Sequence, residues 1–93
     1  MKQAFHTVSV GTRGPGLYEF TDEALAFLRR EQARDGLLTC FIRHTSASLL
    51  IQENADPDVR KGRPALGTWQ GLYVFEHRDA PHQREVLLHY IGD

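Results

Sequence analysis

LLTCFIRHTSASLLIQENADPD, residues 37–58, decides the fold because two patterns meet in it. From Leu37 onward, Leu38, Cys40, Ile42 and His44 fall on one face of an extended chain, and Leu37, Thr39, Phe41 and Arg43 on the other. That is the period of two expected of a strand. His44 closes an otherwise apolar row. SASLLIQE stays strand-compatible as far as Glu53, and the polar ENADPDVRK that follows contains Pro57, whose fixed φ suits the first turn of a short helix.

Working outward, residues 3–10, QAFHTVSV, alternate again, with His6, Val8 and Val10 on one face and Phe5, Thr7 and Ser9 on the other. GTRGPG then carries enough glycine and proline to turn the chain. The spacing predicts a helix over 22–35, with Thr21 as N-cap, Asp22 and Glu23 at the positive end of the dipole, and Gly36 as the stop. Its apolar residues, Ala24, Leu25, Phe27 and Leu28, lie in its first half, so that half packs on a sheet. Residues 65–77, ALGTWQGLYVFEH, read as a strand pair or one long strand interrupted at Gly67 and Gly71. RDAPHQ turns the chain, and REVLLHYIG closes it as a strand with Val86, Leu88 and Tyr90 on one face. The sum is an α+β class: one compact domain over 1–93, with a mixed, mainly antiparallel β-sheet packed by one or two helices.

The bulk properties narrow the function. A 93-residue chain has room for one modest core. A net charge of -1 gives no basic excess, so nucleic acid is not an expected partner. No run of 18 apolar residues occurs and the first ten residues do not form a signal sequence, so the protein reads as soluble and cytoplasmic with no membrane partner. The lone Cys40 can make neither an internal disulfide nor a multi-cysteine metal cluster.

Polar groups crowd the stretch after the apolar strand: His44, Thr45, Ser46, Ser48, Glu53, Asn54, Asp56 and Asp58. A histidine with carboxylates can ligate a divalent metal or move protons. The same residues also serve as turn caps around a strand-end histidine, and any site shared by His44 and Glu53 depends on the fold. In GTWQG, two glycines let backbone approach a ligand, Trp69 offers a stacking surface, and Gln70 offers both donor and acceptor; a bulged strand with Trp69 in the core is the structural alternative. Glu76 and His77, as neighbours on a strand, face opposite ways. No GxSxG elbow and no phosphate-binding P-loop is present.

Three blocks, FHTVSV, HTSASLLIQENADPDVR and ALGTWQGLYVFEHR, stand in the order in which they occur in the YjbQ-like family, which the chain resembles. The resemblance implies a compact α+β fold assembled as a homotrimer with sites at subunit boundaries. It also implies a thiamine-phosphate synthase activity, condensing hydroxymethylpyrimidine diphosphate with thiazole phosphate and releasing pyrophosphate. On that basis His44, Glu53 and Asp58 are the expected catalytic residues. Thr45, Ser46, Asn54, Trp69 and Gln70 would bind a small phosphorylated heteroaromatic substrate, and His44, Asp56, Asp58 and His77 would ligate a divalent metal ion. The chain departs from the family between the ADPDVR and LGTWQG blocks, where members carry a long middle segment with a further histidine; here Arg60-Lys61 runs straight into Gly62-Arg63-Pro64. The expected alternative is a non-catalytic trimeric ligand- or metal-binding module.

Overall fold

The computed structural model describes residues 1–53 and 70–93, without the side chains of 52, 53 and 70. Within them lie six strands and one helix: β1 (Lys2–Arg13), β2 (Gly16–Glu19), α1 (Thr21–Arg30), β3 (Gly36–Ile42), β4 (Ala47–Glu53), β5 (Gln70–Glu76) and β6 (Pro81–Gly92). The class is α+β, as the periodicities predict. Every pairing among the described strands is antiparallel, and the strands divide into two three-stranded sheets, β1-β6-β3 and β2-β5-β4.

β6 is the spine of the first sheet. β1 pairs with it from Lys2↔Gly92 to Arg13↔Pro81, and β3 lies on its other side from Gly36↔Gly92 to Ile42↔Val86. Both flanking strands put their alternate apolar rows inward, and β1 runs beyond the 3–10 read from sequence because β6 supplies partners along its whole length. Val8, Val10, Val86, Leu88 and Tyr90 from this sheet meet Phe20, Ala24, Phe27, Ala47 and Val74 in one core. Half-buried Cys40 packs against that core, and burial pushes its thiol pKa up, so it behaves as a small apolar residue.

The helix differs from its expected limits at both ends. Thr21 is its first residue and not its cap; the Thr21 hydroxyl is engaged elsewhere, donating to Glu19 Oε2 at 2.7 Å and accepting the Leu72 amide at 2.8 Å. At the other end α1 stops at Arg30, where the apolar stripe runs out. Gln32 takes a positive φ of 54°, and the Lys2 ammonium reaches across from β1 to the carbonyls of Glu31 and Gln32. Gly36 then opens β3. Its pairing with Gly92 leaves no room for a side chain, since a Cβ there would lie 2.8 Å from Gly92 Cα.

The outer face of the first sheet carries an apolar row. Phe5, Leu37 and Phe41 are 62%, 63% and 57% exposed, and the register sets half-buried Leu87, His89 and Ile91 between them. His89 stacks on Phe5 with ring centroids 4.6 Å apart and bonds Gln3 Oε1 through Nε2 at 2.8 Å. No helix among the described residues is long and apolar enough to cross a membrane.

Candidate functional site

The second sheet carries the site. β4 and β5 pair from Ala47↔Glu76 to Glu53↔Gln70, so the HTSAS block and the EHR block come together at one end of the pair. The His77 amide bonds Ser46 O at 3.2 Å, and the Ser48 hydroxyl lies 3.4 Å from His77 Nε2. The His77 ring sits 4.4 Å from the Phe75 ring, tilted by 51°. A hydroxyl, an exposed imidazole and the polar 44–46 turn therefore share one edge, where they can donate to an anion or move a proton.

His44 stands at this end but faces β6. Its Nε2 accepts the Glu85 amide at 3.1 Å, which places its proton on Nδ1. In this arrangement Nε2 is occupied, and Nδ1–H is the group left to act. Arg43 Nη1 approaches Glu85 Oε1 at 4.0 Å, with both side chains more than half exposed.

Beneath the edge lies a polar cluster in the core. Glu76 is buried, and Arg84 grips it with both prongs, Nε to Oε1 at 2.7 Å and Nη2 to Oε2 at 2.6 Å. The Thr12 hydroxyl donates to Oε1 at 2.6 Å, and the amides of His77 and Arg78 donate to Oε2, each at 3.1 Å. The Arg84 hydrogen bonds, joined by those from Thr12 and the Arg78 amide, hold the Glu76 carboxyl far below the usual carboxylate range despite its burial. The same pairing raises the Arg84 pKa. The sequence reading left this pair unrecognised. A signal was present: Glu76 ends the inward row Leu72-Val74, Arg84 begins the inward row Val86-Leu88-Tyr90, and seven residues with a turn join them.

The backbone of Glu53 and Gln70 lies at the far end of the pair. From Ala47 to Glu53 the chain is extended, and six steps of about 3.4 Å put roughly 20 Å between the two ends. The structure thus brings Ser46, Ser48 and His77 together and holds the backbone of Glu53 and Gln70 away from them within one chain. At that far end Gly71 is buried, and a Cβ on it would meet Glu19 Oε2 at 2.6 Å and Thr21 Oγ1 at 2.9 Å. A side chain at the second glycine of GTWQG would therefore have to displace the Glu19 and Thr21 side chains. Asn54, Asp56, Asp58 and Trp69 lie outside the described residues, as do the side chains of Glu53 and Gln70. Thr45 is exposed in the turn before β4.

The described residues do not by themselves make a divalent-metal set. No group of three histidine, cysteine or acidic residues gathers among them. His44 Nε2 carries an amide, and both Glu76 oxygens are occupied.

A family model described as "UPF0047 protein YjbQ-like" matches residues 6–61. UPF0047 protein sll1880 of Synechocystis is 34% identical over 130 residues, covering 90% of this chain and 88% of the relative. UPF0047 protein MJ1081 of Methanocaldococcus jannaschii is 25% identical over 119 residues, covering 83% and 86%, and UPF0047 protein YjbQ of Escherichia coli O157:H7 is 26% identical over 133 residues, covering 94% and 96%. These aligned spans exceed the 93 residues of this chain, so the relatives carry a few dozen residues without counterpart in it. The model match ends at residue 61, where the sequence reading places the missing segment. No solved structure matches.

Proposed function

Because this chain belongs to the YjbQ-like UPF0047 family, we propose that it is a cytoplasmic transferase joining hydroxymethylpyrimidine diphosphate to thiazole phosphate with release of pyrophosphate. The observation that carries this reading is the β4–β5 register, which sets the HTSAS and EHR blocks side by side as one polar edge. In the reaction the bond from the pyrimidine methylene to the diphosphate oxygen breaks and a bond to the thiazole nitrogen forms. Negative charge grows on the departing pyrophosphate, and His77 with the Ser46, Ser48 and Thr45 hydroxyls donates to it. Trp69 stacks on a heteroaromatic ring, and Gln70 bonds its edge.

The backbone of Glu53 stands about 20 Å from that edge along β4, so the proposal completes the site between copies in a homotrimer. The exposed apolar row of Phe5, Leu37 and Phe41 supports such an assembly. A divalent cation enters the proposal only through Asp56 and Asp58, with His44 and His77 as further candidates. A second reading, a trimeric binding module without catalysis, is favoured by the segment that the relatives have and this chain lacks.

A thiamine-phosphate formation assay with and without Mg²⁺, on the native chain and on His77→Ala, decides between them. Turnover that falls about 100-fold or more in the variant is expected for a general acid. Retained binding of both substrates with no turnover at any metal concentration would favour the second reading.

A further inference from the structure

Buried ion pairs seldom add stability over apolar residues of the same shape, because desolvation offsets most of their attraction. Leucine and methionine at 76 and 84 would extend the two inward apolar rows with no such cost. What an apolar pair cannot do is accept hydrogen bonds, and Glu76 accepts five, from the Arg84 Nε and Nη2, the Thr12 hydroxyl, and the amides of His77 and Arg78. The last two matter for the site. The described β4–β5 pairing ends at Ala47↔Glu76; the next amide, that of His77, is shared between Ser46 O and the carboxylate, and the carboxylate takes the Arg78 amide after it. With Arg84 on both oxygens and Thr12 on one, the carboxylate has no freedom to turn away from them.

We infer that Glu76, locked by Arg84 and Thr12, is a positioning residue that fixes the His77–Arg78 backbone and thereby sets the His77 imidazole against Ser48. The inference deepens the proposed function and rests on its reading of this strand end as the place where a phosphate or pyrophosphate group binds. Glu76 touches no substrate. It acts through the main chain of the residue that does.

The test replaces the clamp with apolar residues, Glu76→Leu with Arg84→Met, and follows the full chain by NMR. Amide exchange at 77 and 78 is expected to rise at least about tenfold over that at Val86 and Leu88, with loss of the His77–Ser48 proximity signal. A folded double variant in which both are as in the native chain overturns the inference. If the double variant does not fold, Arg84→Lys keeps a buried cation without the two-pronged grip and is read at the same amides, with the same two outcomes. Inorganic pyrophosphate added to the native chain addresses the functional reading separately. Shifts at Ser48, His77 and Arg78 support it, and their absence overturns that reading while the exchange result still decides the clamp.

Discussion

If the outer face of the first sheet is covered in the proposed homotrimer, Phe41→Thr should dissociate that assembly without unfolding the chain. Phe41 lies on the outer face of the first sheet, paired with Leu87 of β6, and is 57% exposed. A phenylalanine side chain covers roughly 200 Å², so roughly 115 Å² stands open; covering it at about 25 cal/mol per Å² is worth about 3 kcal/mol. Threonine retains a methyl group and the β-branched form that strands favour, which brings the loss to about 2 kcal/mol, or roughly thirtyfold in each subunit contact. Within one protomer the same substitution should change stability by no more than about 0.5 kcal/mol, because the position is on the surface. Sedimentation velocity across a dilution series, with urea unfolding on the same samples, separates the two effects. A native chain that sediments as a monomer, or a variant whose assembly is unchanged, would refute the reasoning that this face is covered.

Two further outcomes follow from the core. Folding lowers the Glu76 pKa below its ordinary value of 4.5, so its contribution to stability is complete above that value and is lost as pH falls below it; urea titrations at stepped acid pH should show the loss, and Glu76→Gln should flatten it. Gly36→Ala should cost at least about 1–3 kcal/mol, because the new methyl meets backbone of Ile91 and Gly92 that cannot swing aside. Calorimetry should record a fall in Tm of about 4–8 °C for each kcal/mol lost, and an unchanged Tm would contradict the close β3–β6 approach.

The alternation of Val8 with Val10 and of Val86, Leu88 and Tyr90 made the strands legible, since one buried face imposes a period of two regardless of partner. What lay beyond the sequence was which strands pair. His44 is bonded by an amide 41 positions later, and nothing local to LLTCFIRH announces that β6 runs beside it. The helix ends at Arg30, short of the 22–35 that its sequence predicts, for a related reason. Residues 31–35 have acceptable helix propensity, but apart from Ala33 they give the core nothing to bury, and burial sets the length of a short helix. In the site, the density of polar residues from 44 to 58 was plain, but an extended β4 puts the Glu53 backbone far from the 44–48 end, and a list of residues carries no such distance.

The β4–β5 pairing also bears on the residues this chain lacks. Sixteen residues join Glu53 to Gln70, and the relatives' aligned spans imply a few dozen more. The entropy of closing a loop grows only with the logarithm of its length, about 0.6 kcal/mol per doubling, so the longer connection would differ by only about 1 kcal/mol. The connection is therefore close to a free variable for folding. The β4–β5 ladder can keep its register whether that segment is long or short, and pressure on its length comes from what the segment does once the chain has folded.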